Sequence, residues 1–192
     1  MQPNLKVKKY KHKAISQIDL LRTSKSGIGK LLEQSFIDLG HTHNSLEGVD
    51  LPLLAGGIEL KTKDVNSTSA WTIGKMSHAR VLSTPYAESF IKEKMQRQWH
   101  FVYDMAGNVW DDRLYDFTDQ AIQERCEAAY EEGRWEIIKG IKGNGNNTQT
   151  YDIGIWQRDS TGSWSWRITV PGMKNLKEMS KVSKVKNDLF AF

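Results

Sequence analysis

The sequence predicts an α/β (α+β) fold, a mixed β-sheet flanked by helices, and three observations carry that prediction. A helical stripe of apolar residues begins near Ser26. Short runs of strand length recur at Gly56 to Thr62, at Trp71 to Ile73 and at Trp99 to Tyr103. Two more such runs flank the turn-forming segment Asp159-Ser160-Thr161-Gly162.

The stripe consists of Ile28, Leu31, Leu32, Phe36 and Leu39 and closes at Gly40, the pattern of an amphipathic helix. The polar loop His41 to Pro52 leads through Gly56-Gly57 into Ile58-Glu59-Leu60-Lys61-Thr62, a strand entered through glycines. A side-chain period of two places Glu59 and Lys61 on one face. The segment Ala87 to Gln98 reads as a helix between two strands. Thr118 to Glu132 reads as another, capped by Thr118 or Asp119 and stopped by Gly133. Trp135 to Lys139 is a strand candidate, and Gly143 to Asn147 is a turn. Tyr151 to Gln157 and Ser163 to Val170 form a hairpin, and Lys174 to Lys184 reads as a final basic helix.

A chain of 192 residues buries a sizeable core and suits one domain spanning residues 1–192. No run approaches the roughly 20 apolar residues needed to cross a bilayer, and the basic start has no apolar signal core behind it, so a cytoplasmic location without a membrane partner is expected. The lone Cys126 excludes an internal disulfide and a multi-cysteine zinc site, and its surroundings suit a buried small hydrophobe. The net charge of +4 is unevenly spread. Residues 1–13 hold five lysines and no acid, Asp104 to Glu136 holds ten acids against three arginines, and Lys174 to Lys186 holds five lysines against Glu178. This pattern suits a polyanion gripped by basic ends, with the acidic stretch turned away.

Asp50, Glu59 and Lys61 carry the chemistry. Hydrolysis of a phosphodiester calls for hard oxygen ligands to Mg²⁺ and for a cation that orients water or offsets charge on the phosphate. Two carboxylates and a lysine converging on one strand supply that set. The alternative is an edge strand whose charged face is solvated. Two charged side chains on a core strand are costly unless they are put to use.

Three blocks resemble the MutH-like family and the type II restriction endonucleases of the PD-(D/E)xK superfamily, including the MvaI-type and BcnI-type enzymes. Lys25-Ser26-Gly27-Ile28-Gly29-Lys30-Leu31-Leu32-Glu33 is similar to the helix that brings an additional glutamate to the family's site. The segment from Asp50 through Gly56-Gly57-Ile58-Glu59-Leu60-Lys61-Thr62 resembles its Asp, spacer, Gly-(Ile/Val)-Glu-Leu-Lys-Thr block. Ser89 to Arg97 resembles its Lys-Leu-x-Arg helix, and the blocks occur in the family's order. The resemblance covers about Lys25 to Val102. Residues 63–70 and the C-terminal half depart from it.

The resemblance implies a restriction-endonuclease-like fold. It makes Asp50 and Glu59 the metal ligands, Lys61 the catalytic lysine, Glu33 a neighbour of the metal and Lys94 a second lysine at the site. The implied activity is Mg²⁺-dependent, sequence-specific cleavage of double-stranded DNA by a type II restriction endonuclease. Such an enzyme works as a monomer or a homodimer and pairs functionally with a cognate DNA methyltransferase. Lys63, Arg97, Lys174, Lys177, Lys181 and Lys184 are the expected DNA contacts, with the basic arm 1–13 and residues 103–192 contributing to recognition. Two alternatives are a MutH-like mismatch-repair nicking enzyme and a non-catalytic DNA-binding module. The chain is short for the repair enzyme, and a pure binder gains nothing from acids aimed at phosphate.

Other signals read as structural. His41 and His43 lack the further ligands of a zinc site, and His100 suits a satisfied position in a sheet. Gly143-Asn144-Gly145 lacks the rest of a nucleotide-binding motif. Trp156, Trp164 and Trp166 suit core packing better than base stacking. Asn66-Ser67-Thr68 fits a glycosylation acceptor, which a cytoplasmic location makes irrelevant.

Overall fold

The computed structural model describes residues 37, 48–52, 56–104, 109–140 and 147–183. Its elements run β1 (Glu59–Asp64), β2 (Trp71–Met76), α1 (His78–Ser83), a 3-10 turn (Tyr86–Glu88), α2 (Phe90–Lys94), β3 (Arg97–Tyr103), β4 (Val109–Asp116), α3 (Gln120–Ile138), β5 (Gly154–Arg158), β6 (Trp164–Ile168), α4 (Val170–Met179) and β7 (Lys181–Ser183). The class is mixed α and β, as expected, with one four-stranded sheet in the order β1-β3-β4-β7 and one three-stranded sheet in the order β2-β6-β5. Among the described residues no helix is long and apolar enough to cross a membrane.

The chain divides into two units, one within Met1–Ser67, Gln98–Tyr115 and Val182–Phe192, the other within Thr68–Arg97 and Asp116–Lys181. In the first, β1 and β3 pair in parallel from Glu59 opposite Gln98 to Asp64 opposite Tyr103. The run Gln98 to Phe101 is buried at every position, as a parallel strand covered on both faces requires. Val49, Leu51, Ile58, Leu60, Trp99 and Phe101 supply its apolar core.

In the second unit, β5 and β6 pair antiparallel with Trp156 opposite Trp166, and β6 alternates inward Trp164, Trp166 and Ile168 with half-exposed residues. Helix α3 buries Ile122, Cys126, Ala129, Tyr130, Gly133 and Ile137, an apolar stripe of period near 3.6. Tyr130 joins helix to sheet: its ring lies 4.9 Å from that of Trp156 and 5.9 Å from that of Trp166, and its backbone oxygen accepts the Trp156 indole N–H at 3.1 Å. All three hairpin tryptophans are buried, which agrees with core packing. Cys126 is fully buried, and burial pushes its thiol up to about 12, an inert small hydrophobe as expected.

The boundaries differ from the expectation in four places. Gly133 does not stop α3, which starts at the Asp119 cap and runs to Ile138, absorbing most of the predicted strand Trp135 to Lys139. A Cβ at position 133 would stand 2.7 Å from Trp156 Cδ1, so this glycine permits close helix-to-sheet approach. The cap glycine is Gly140, at φ +66°. The helix expected over Ala87 to Gln98 is limited to the 3-10 turn and α2, because Arg97 and Gln98 already belong to β3. The final helix starts earlier, at the Thr169 cap, and Lys181 falls in β7. Strand β4 was hidden by its acidity: Asp111 is buried there beside Arg113, with Nε to Oδ1 at 2.7 Å, and Tyr115, whose hydroxyl donates to Asp111 at 2.9 Å. The acidic stretch is therefore not uniformly turned outward, since Glu136 is buried as well and accepts the Gln149 amide at 2.8 Å.

Candidate active site

The first unit brings Asp50, Glu59 and Lys61 together through its backbone. Leu51 and Ile58 form an antiparallel bridge with N to O distances of 2.9 and 3.1 Å, which folds the segment before β1 back onto its entry. The turn needs glycine at Gly56 and Gly57, which adopt φ of +79° and +99°. A Cβ on Gly57 would also press on Val49 at 3.0 Å. Asp50 is thereby set beside the strand, and its Oδ2 accepts the Leu60 N–H at 2.7 Å, on the residue between Glu59 and Lys61.

Glu59 and Lys61 share a face, as period two predicts, and Lys61 Nζ meets Glu59 Oε1 at 2.6 Å. Although β1 ends the four-stranded order, the glutamate side chain is only 2% exposed and the lysine 14%. That burial excludes the solvated edge face. A carboxylate so far from water needs a cation, and removing one partner of a buried pair costs about 3 to 5 kcal/mol.

The same face continues across β3. The parallel register sets Gln98 beside Glu59 and His100 beside Lys61, both fully buried, with His100 Nε2 and Gln98 Oε1 2.9 Å apart. His100 is thus a buried sheet histidine, as expected, with its Nε2 engaged by Gln98. Its ring stands edge-on to Tyr115 at 5.0 Å, and Tyr115 reaches Asp111. Burial, together with the Asp111 charge and its hydrogen bond, raises the Tyr115 hydroxyl pKa well above the ordinary value, so it remains a proton donor to Asp111. The sequence reading missed Gln98, Asp111 and their connection to β1. The signal was a polar residue at each end of a two-residue step in an otherwise apolar strand.

Of the other expected site residues, Glu33 and Lys184 lie outside the described residues, as do His41 and His43. Lys63 is half-buried on β1, in line with Glu59 and Lys61. Lys94, Arg97, Lys174, Lys177 and Lys181 belong to the second unit. Lys94 ends α2, and Arg97 lies 3.7 Å from Asp116. Lys174 is well exposed near Glu178, and Lys177 sits over the Trp71 ring at 5.1 Å. Among the described residues no three His, Cys, Asp or Glu side chains group as a metal site. Compared with known proteins, the sequence matches no family model and no curated protein.

Proposed function

We propose that the chain is a Mg²⁺-dependent, sequence-specific DNA endonuclease, a type II restriction endonuclease with a restriction-endonuclease-like fold of the PD-(D/E)xK class. The observation that carries the reading is the seating of the Asp50 carboxylate on the Leu60 amide between a buried Glu59 and its paired Lys61. A structural ion pair needs no third charged group fixed on the same strand.

The donor set suits a hard divalent cation, since Mg²⁺ is commonly held by one or two carboxylates together with substrate phosphate oxygens. Asp50 and Glu59 would hold it. When bound, it neutralises phosphate charge and lowers the pKa of water. Lys61 then has two tasks, to orient a water for in-line attack on phosphorus and to offset charge on the phosphate as the opposite P–O bond breaks. The buried Gln98 and His100 stand beside these groups on the neighbouring strand.

A restriction enzyme acting alone should cut unmethylated plasmid into discrete double-strand fragments, with one sequence flanking every end. Sequencing those ends checks it. Nicks that appear only with mismatch-repair partners would favour the repair reading. Binding should draw on the exposed lysines of the second unit. Replacing Lys174 and Lys181 by Ala should lower the slope of log K against log salt by up to about 2, because each phosphate contact contributes about 0.9. Gel-shift titrations over a salt series read that slope, and an unchanged value removes both residues from the interface.

A further inference from the structure

The second unit holds a cavity of about 350 Å³ that no step above uses, lined by His78, Leu82, Ile137, Ile138, Arg158 and Trp164 among others. Its volume is at the lower end of small-molecule sites. Trp164, itself buried, organises both of its polar groups. The indole Nε1 donates to His78 Nδ1 at 3.0 Å, and because an indole N–H can only donate, His78 carries its proton on Nε2. Arg158 faces Trp164 across the β5–β6 pair and holds its guanidinium 5.9 Å from that ring.

The Arg158 Nε is buried and has no hydrogen-bond partner among the described residues. The neighbouring acid, Asp159, is engaged by Lys75 and by Thr161. With its Nε closed off by burial, the guanidinium meets the cavity through its delocalised charge and its terminal N–H groups, which can make charge-assisted hydrogen bonds to a ligand oxygen. The rest of the lining is aliphatic, and Leu82 and Ile138 are 38% and 37% exposed, apolar surface that only a ligand with an apolar body would cover.

We infer that this cavity binds a small organic anion, a carboxylate or phosphate group against Arg158 and the His78 Nε2–H, with an aromatic or branched aliphatic body against Leu82, Ile137 and Ile138. The aliphatic wall sets it apart from a seat for a bare phosphate. Among the described residues no acid lines it, so an organic cation of the same shape should bind more weakly. The inference does not depend on the nuclease reading.

Calorimetry on the full chain with phenyl phosphate, phenylacetate, inorganic phosphate and benzylamine tests it. Phenyl phosphate and phenylacetate should bind with Kd near ~1 mM, as expected for ligands of this size, and inorganic phosphate about 10-fold more weakly. Arg158→Gln should weaken both aryl anions about 10-fold, the effect of losing one charge-assisted hydrogen bond. Leu82→Glu, at an exposed position that leaves the fold intact, should do the same by charge repulsion. Equal binding of benzylamine and phenyl phosphate, undiminished binding in Leu82→Glu, or no binding of either aryl anion would overturn the assignment.

Discussion

Asp50→Asn is expected to lower DNA cleavage by about 10³-fold or more while folding and DNA binding persist. Asparagine is nearly isosteric, and its side-chain oxygen can still accept the Leu60 N–H that fixes the aspartate at 2.7 Å, so the local backbone is kept. What is lost is the charge that would hold Mg²⁺, and a transition-state contribution of about 4 kcal/mol corresponds to that drop in rate. DNA affinity should hold steady or rise, because a charge that repels phosphate is gone. Asp50→Ala removes the hydrogen bond as well, so comparing the two separates the charge from its seat. Plasmid cleavage rates and gel shifts on the same preparations are the readout, and a cleavage rate in Asp50→Asn within a few-fold of the unaltered protein would remove Asp50 from the site.

Trp156→Ala should be the most damaging core substitution in the second unit. The side chain is fully buried, packs on Tyr130 at 4.9 Å, donates to the Tyr130 backbone oxygen, and occupies the space that the missing side chain of Gly133 leaves open. Truncation opens a large cavity and removes that hydrogen bond, so a loss of about 3 to 5 kcal/mol is expected. For a folding unit of roughly 100 residues that lowers Tm by more than about 10 °C. Thermal unfolding followed by near-ultraviolet circular dichroism measures it. A shift of only a few degrees would mean that the Tyr130 and Trp156 contact carries little of the stability.

The pattern of the candidate site was legible because it is local. Asp50, Glu59 and Lys61 lie within twelve residues, and both the glycine entry and the period of two that align them are written in the chain. The hairpin was equally plain, since alternation and a turn-forming tetrapeptide specify it directly. Partners distant in sequence were not legible. Gln98 and His100 reach Glu59 and Lys61 only through a parallel register across about 40 residues, and no local signal fixes such a register. Strand β4 reads as an acidic solvated stretch until Arg113 and Tyr115 are seen to satisfy Asp111. Gly133 misled for a similar reason: its meaning is the Trp156 ring beside it, so the helix continued where local rules end it. The anion cavity joins α1, the end of α3 and the hairpin, and His78 and Arg158 are 80 residues apart in the sequence.

The most direct test of a divalent-metal site at Asp50 and Glu59 is digestion of unmethylated plasmid by the purified chain, with Mg²⁺ or Mn²⁺ supplied in one series and excess EDTA in another. Cleavage in the presence of either metal that vanishes in EDTA and returns when Mg²⁺ is restored is the predicted result, because the two carboxylates form a hard-oxygen set with no thiolate to hold a softer ion. Cleavage undiminished in EDTA, or no cleavage of any DNA with either metal, would contradict it.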